Sequence, residues 1–305
     1  MSARRLPVTA IVLTYNEERN LRPCLESLAA WVTELFVVDS GSTDGTLAIA
    51  EAFGARVVHH KFETHTRQWR WALEQLPLKT EWVIGLDADQ RVSPELADAI
   101  ATAFADTPAL ERTTGFFLNR RQVFRGRWIK YGGYYPKYLL KMFRRGAVSL
   151  DEGDLVDHHF HVTGTLVRLR GDLIEDNRNE ARIADWIEKH NRYARLQARQ
   201  EVEQLGHGPR PRFWGTPDER TAWMKHVWKR LPLYLRPIGY FVYRYVVRLG
   251  FLDGKEGFIF HFMQAFWYRL LVDINRDELT AADRPAAEAS ATQALARPAP
   301  ARRES

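Results

Sequence analysis

An α/β fold with a mostly parallel central sheet, followed by an α-helical carboxyl-terminal region, is the architecture this 305-residue sequence predicts, on three observations. Short apolar runs, VTAIVLT, LFVVD and WVIGL, end abruptly in polar residues. Continuous apolar strands of this kind are buried on both faces, as in a parallel sheet covered by helices. Helix-forming stretches separate the runs at the spacing of right-handed crossovers. Past about Gly206 the composition changes to aromatic residues and arginines at helical spacing.

In chain order, Val8 to Thr14 is a buried strand, and Asn16 is placed to cap a helix running to about Ala30. Leu35 to Asp39 is the next strand and opens into SGSTDGT, a loop rich in turn residues with hydroxyl and backbone donors. Thr43 or Asp44 then starts the helix TLAIAEAFG, closed by Gly54, and Val57-Val58 is a short strand. Trp82 to Leu86 is a further buried strand, with Asp87 and Asp89 at its carboxyl end. Ser93 and Pro94 read as the cap and first position of another helix. Open α/β sheets bind ligands at the carboxyl edge, so the clusters Thr14 to Glu17, Asp39 to Asp44 and Asp87 to Asp89 are expected to line one crevice. Alternation along extended backbone sends the Asp87 and Asp89 carboxylates to one side, where they suit one hard divalent cation. The plainer reading of the pair is an acidic strand-to-helix loop.

Composition narrows the function. A single cysteine, Cys24, leaves no disulfide framework and no cysteine-rich metal site, which fits a reducing cytoplasm. The start has no secretory signal pattern, so the catalytic part is expected in the cytosol. The net charge of +6 suits an anionic partner. Neither G-x-G-x-x-G nor G-x-x-x-x-G-K-[ST] occurs, so any nucleotide is held without the dinucleotide fingerprint or the P-loop.

TYNEERNL, VVDSGSTDGT and WVIGLDADQRV together resemble the nucleotide-binding half of inverting family 2 glycosyltransferases with the GT-A fold, of the bacterial lipopolysaccharide-core and exopolysaccharide type. The resemblance runs from about residue 6 to 275, through QWRWALEQLP, GGYYPKYLLKMFRRG and WIEKHNRYA. It implies a nucleotide diphosphate sugar donor, a UDP-sugar first, and a lipid-linked or saccharide acceptor, with no role for nucleic acid. By similarity Asp89 binds Mg²⁺ or Mn²⁺, and Asp87 shares the metal or takes a ribose hydroxyl. Gln90 stands where relatives commonly carry a third acidic residue. Thr14, Tyr15, Asn16, Glu17, Asp39 and Gln68 are implied in nucleotide binding, and Arg70 replaces an asparagine frequent in relatives. For Asp39 the alternative is a loop or helix-capping aspartate. The base that deprotonates the acceptor falls in EGDLVDHHFHV, with Asp157 first and His158 and Asp154 as alternatives. His159 and His161 alternate as on one strand face, without a third spaced ligand for zinc. The ring-bearing turn Gly132 to Pro136 reads either as an acceptor platform or as a loop packed on its own tyrosines. Arg144 and Arg145 read as phosphate contacts or as a solvated pair.

The domain expectation is residues 1–200 for the GT-A domain, 201–280 for an aromatic, basic helical region at a membrane interface, and 281–305 for a disordered tail. Helical spacing puts Arg236, Tyr240, Arg244 and Arg248 on one stripe. Gly257 to Val272 is apolar but shorter than a bilayer-spanning helix. The stripe is therefore expected to meet an anionic membrane surface, with the protein peripheral on the inner face of the cell membrane. Two rival functions remain: a sugar-phosphate nucleotidyltransferase, although its glycine-rich phosphate signature is absent, and a non-catalytic binding protein on the same scaffold.

Overall fold

The first apolar run forms β1 (Leu6–Thr14), whose alternation feeds two cores. Val8, Ala10 and Val12 pack under one helical layer, and Ile11 and Leu13 under the other. The computed structural model describes residues 5–150, 159–203, 212–214, 223, 226–228 and 230–295, those from 282 on by backbone alone. After β1 come α1 (Leu21–Ala29), β2 (Val32–Asp39), α2 (Thr46–Ala52), β3 (Arg56–His59), α3 (His65–Gln75) and β4 (Trp82–Asp87). A two-residue turn leads to β5 (Gln90–Val92), then α4 (Pro94–Ala105), α5 (Thr107–Arg112), β6 (Thr113–Phe124), β7 (Arg127–Trp128) and β8 (Tyr138–Arg144). A small ribbon of β9 (Val148–Leu150) and β10 (Phe160–Val162) precedes β11 (Thr165–Asp176) and α6 (Ile183–Val202).

The main sheet has the order β3-β2-β1-β4-β8-β6-β11-β5, with β7 on β6. Strands β3, β2, β1 and β4 are mutually parallel, β6 and β11 run the same way, and β8 lies antiparallel between β4 and β6. The mostly parallel sheet expected from the apolar runs is thus observed. In register, Thr14 pairs with Asp39, Asp39 with His59, and Leu13 with Asp87, so the polar clusters share one edge. Gly85 sits mid-strand for a packing reason: a Cβ there would lie 2.9 Å from the Trp69 ring and 3.1 Å from Phe160.

Helix starts follow the sequence unevenly. Ser93 caps α4 as expected, accepting from the Leu96 N–H at 3.2 Å. Asn16 does not cap α1; it takes a left-handed φ of 54°, and α1 begins only at Leu21. Asparagine tolerates that conformation because its short side chain bonds locally. Helix α2 starts at Thr46, with Asp44 accepting from the Thr46 N–H at 3.0 Å, and Gly54 closes it with a φ of +66°.

The carboxyl-terminal part contains α7 (Leu235–Val242), a π-helical turn (Tyr243–Val247), a 3₁₀ turn (Gly250–Asp253), α8 (Gly254–His261), a second π-helical turn (Phe262–Trp267) and α9 (Tyr268–Leu295). A third core joins Phe124 and Ile129 at the sheet edge to Trp186 and Ala194 of α6 and to Phe260, Met263 and Val272. Helix α9 is described to Leu295, within the 281–305 stretch expected as a disordered tail, whose residues 296–305 lie outside the described residues. Its alanine-rich composition favours helix.

The arginine stripe is corrected in part: Arg236 and Arg244 face inward, whereas Arg248 is exposed. Arg236 is 3% exposed and pairs with Asp273 and Glu201. Arg244 lies over the Tyr134 ring at 4.1 Å. The spacing was right, but buried acids on α6 and α9 supply the counter-charge for Arg236, and tyrosines take up Arg244. Among the described residues, no helix is long and apolar enough to cross a membrane.

Candidate active site

Two loops at the carboxyl ends of β1 and β2 are tied together through side chains. Asp39 is fully buried. Its carboxylate accepts from the Gly41 and Ser42 N–H groups, both at 2.8 Å, from the Ser42 hydroxyl, and from the Thr14 hydroxyl at 3.0 Å. Burial alone would raise its pKa, but the bonds from Ser42, Gly41 and Thr14 outweigh burial and hold it below the ordinary carboxylate range. The loop-organising role is therefore fully satisfied inside the protein. Asn16 Oδ1 accepts from the Thr43 N–H at 2.8 Å, and the Glu17 N–H donates to Thr46 Oγ1 at 2.7 Å. Gln68, on α3, bonds His60 Nδ1 at 2.6 Å and donates to Ser40 Oγ at 3.2 Å, which brings it to the same loop. Tyr15 stands out from this framework, 60% exposed.

The second half of the site is a set of acids. Asp87 closes β4, while Asp89 lies in the turn beyond it rather than in extended backbone. Lys141 of β8, only 6% exposed, places Nζ 3.0 Å from Asp87 Oδ2. Among the described residues, Asp89 forms no such ion pair. Desolvation, then the neighbouring Glu175 and Asp87 carboxylates, push its pKa well above the ordinary range, with Lys189 opposing. Glu17 is pushed up to about 7, chiefly by burial, against the Asn20 hydrogen bond and Lys189. Its carboxylate accepts from Asn20 Nδ2 at 2.7 Å and from Asn179 Nδ2 at 3.0 Å.

Glu175 is the acid the sequence did not reveal. It arrives from β11, pairs in register with Gln90, and accepts from Gln90 Nε2 at 2.9 Å. The glutamine that stands where relatives carry an acid thus holds one supplied from elsewhere in the chain. Lys189 of α6 bonds Glu180 Oε1 at 2.5 Å and adds positive charge beside Asp89. Lys141 and Lys189 lie in the KMFRRG and WIEKHNRYA segments, but no short motif flags either. Among the described residues, no group of three or more His, Cys, Asp or Glu is gathered to cage a metal. A two-carboxylate arrangement remains chemically apt, since hard cations in phosphate sites are held by one or two carboxylates plus substrate oxygens.

The structure brings Thr14, Tyr15, Asn16, Glu17, Asp39, Gln68, Asp87 and Asp89 to one sheet edge. Asp154, Asp157 and His158 lie outside the described residues. His161, on β10, is exposed and paired in register with Ser149. The Gly132 to Pro136 turn is not a loop packed only on itself: Tyr134 packs on Phe260, and the Tyr135 hydroxyl donates to Asp172 Oδ1 at 2.9 Å. Arg144 donates to the Thr113 and Leu110 carbonyls at 2.8 and 2.9 Å and pairs with Glu81, so it ties strand to helix and is not a free phosphate contact.

A model of the family Glycosyl transferase family 2 matches residues 9–162. The lipopolysaccharide core biosynthesis glycosyltransferase LpsC of Rhizobium meliloti (strain 1021) is 30% identical over 221 residues, spanning 69% of this chain and 76% of that protein. Two solved structures are similar at lower identity. S. aureus TarS 1-349 in complex with UDP has a TM-score of 0.41 and 17% identity over 92% of both chains. Glucosyl-3-phosphoglycerate synthase from Mycobacterium tuberculosis, in complex with Mn²⁺, UDP and glucosyl-3-phosphoglycerate, has a TM-score of 0.39 and 18% identity over 61% of this chain and 80% of that one.

Proposed function

The chain belongs to glycosyl transferase family 2, with a GT-A-like domain and a helical carboxyl-terminal region, and from that premise we propose that it moves a sugar from a UDP-sugar to a lipid-linked or polysaccharide acceptor. The cell envelope is the proposed setting, at the inner face of the membrane, in keeping with the lipopolysaccharide-core role in the name of the Rhizobium relative. The observation that carries the reading is the meeting, at one sheet edge, of the two zipped polar loops and an acid, Asp89, raised by burial and by neighbouring carboxylates.

That geometry supports roles for the described residues, and the base is assigned from the sequence alone. The Tyr15 ring offers an exposed face on which a base can stack, while the loop of Ser40 to Thr43 lines the nucleotide side. Asp39 holds that loop in shape, and its contact with the base is indirect. Asp89, with Asp87 beside it, is the proposed holder of Mg²⁺ or Mn²⁺, a charge that would offset the crowded carboxylates and neutralise the diphosphate leaving group. Lys141 shares Asp87 with that task. The acceptor hydroxyl oxygen attacks the anomeric carbon in line, the bond to the diphosphate breaks, and the hydroxyl proton passes to Asp157, with His158 and Asp154 as alternative bases. One displacement of this kind inverts the anomeric centre.

Calorimetry with UDP, with and without Mn²⁺, and a transfer assay test the reading. Asp89→Asn should remove the Mn²⁺-dependent part of UDP affinity and lower turnover about a thousand-fold, while the protein stays folded. Near-normal turnover of that variant at saturating Mn²⁺ would overturn the metal assignment. No sugar transfer by the parent with any nucleotide sugar would favour a binding protein on an enzyme scaffold.

A further inference from the structure

The α7–α8 hairpin is built inside out relative to a soluble helical pair. Arg236 and Arg244 face the protein, and its inner seam is closed by rings: Phe241 to Phe262 at 5.9 Å and Tyr245 to Phe258 at 5.6 Å. The apolar side chains left over point outward. Val242 is 45% exposed, Val246 52%, Val247 64% and Phe251 44%, with Ile238 beside them. Exposed apolar side chains clustered on one element mark an interaction surface.

The charge at the rim says which kind of surface. Arg248 and Lys255, both exposed, flank Phe251 at the hairpin turn. Between Leu235 and Val272 the only acids are Asp253 and Glu256. Asp253 is buried and accepts from the Lys130 and Tyr131 N–H groups at 3.1 and 2.9 Å, so it does not offset the rim. An apolar face with a cationic border fits helices lying in the headgroup region of an anionic bilayer, and among the described residues no helix is long and apolar enough to cross one. The location adds a second argument. Through Lys130, Tyr131 and Tyr134 the hairpin is fixed to the loop between β7 and β8, at the carboxyl ends of β6 and β11, the same edge that carries Glu175 and Asp89.

We propose that the outward face of the α7–α8 hairpin docks the protein on an anionic membrane, its apolar side chains entering the interface while Arg248 and Lys255 meet headgroup phosphates. Docked this way, the sheet edge faces the bilayer, where a lipid-anchored acceptor presents its sugar. The cationic stripe of Arg236 and Arg244 takes no part, since both are used inside.

The test uses the full chain and vesicles without acceptor, so its failure leaves sugar transfer standing, and loss of transfer leaves docking standing. Vesicles of phosphatidylglycerol and phosphatidylethanolamine should sediment the protein, and vesicles of phosphatidylcholine alone should do so more weakly. Val242→Asp combined with Phe251→Asp, both at exposed positions, should lower partition at least ten-fold with thermal midpoint and UDP affinity unchanged. Arg248→Gln combined with Lys255→Gln should lower binding to anionic vesicles about twenty-fold and leave phosphatidylcholine binding as it was. If the aspartate variant sediments as fully as the parent, the proposal fails. It fails also if the parent ignores vesicles and sedimentation velocity shows a dimer that the aspartates disperse, in which case the face joins two copies of the chain.

Discussion

The sheet edge and the carboxyl-terminal hairpin both bury charge, and they settle it in opposite ways. Around Arg236 the account closes: Asp273 and Glu201 neutralise it, and Arg276 stands 3.5 Å from Glu201. Around Asp89 it stays open: Lys141 pairs with Asp87 and Arg120 with Glu175, but Asp89 itself forms no ion pair among the described residues, and Lys189 opposes only part of the like charge around it. Compensated buried charge holds a structure together. Uncompensated buried charge costs stability and persists where a ligand supplies the missing sign, the pattern expected of a functional site.

The sharpest way to break that contrast is to open the closed network. Arg236→Ala leaves Asp273 buried without its cation and Glu201 with Arg276 alone, and it should cost about 3 to 5 kcal/mol in a urea unfolding experiment. Adding Asp273→Leu to Arg236→Met should restore much of the loss, because an apolar pair of similar volume replaces a buried ion pair at little cost. If Arg236→Ala unfolds like the parent, the stripe is not internally compensated.

A smaller effect sharpens the same region. Gly132 has a φ of +67°, and a Cβ there would lie 2.1 Å from His261 Cε1, a ring buried between Gly132 and Gly250. Gly132→Ala should therefore destabilise by roughly 2 to 3 kcal/mol through strain and overpacking, read in the same unfolding experiment. A second change, His261→Ala, should recover part of that loss by making room.

The smallest expected change is one of slope and reports on the open side. Glu17 has a folded pKa of about 7, above its unfolded value of about 4.3, so the folded state binds more protons. Its contribution to stability is fully present below pH ~4.3 and is lost as pH rises through 7. Stability without added cation should fall across that window, and Glu17→Gln should flatten the fall. Asp39 has the opposite sign: its depressed pKa keeps its contribution intact above pH ~4, to be lost only in acid. An unchanged slope in Glu17→Gln would remove Glu17 from the open cluster.

The sequence by itself determined the parallel strands, because an apolar run buried on both faces is written in consecutive residues, as in Val8 to Leu13 and Trp82 to Leu86. It also placed the polar clusters at strand ends, since a strand's carboxyl end is a position along the chain, and the register then set Thr14 beside Asp39 and Leu13 beside Asp87. Tertiary structure alone decided which charges find partners. Glu175 reaches Gln90 across 85 residues and Lys141 reaches Asp87 across 54, separations no local pattern encodes. Arg236, Arg244 and Arg248 show the limit most plainly: helical period fixed that they share a stripe, but whether a stripe faces solvent depends on what packs against it. Here Asp273 on α9 and Glu201 on α6 hold Arg236 inside, the Tyr134 ring takes Arg244, and Arg248 stays exposed beside the apolar side.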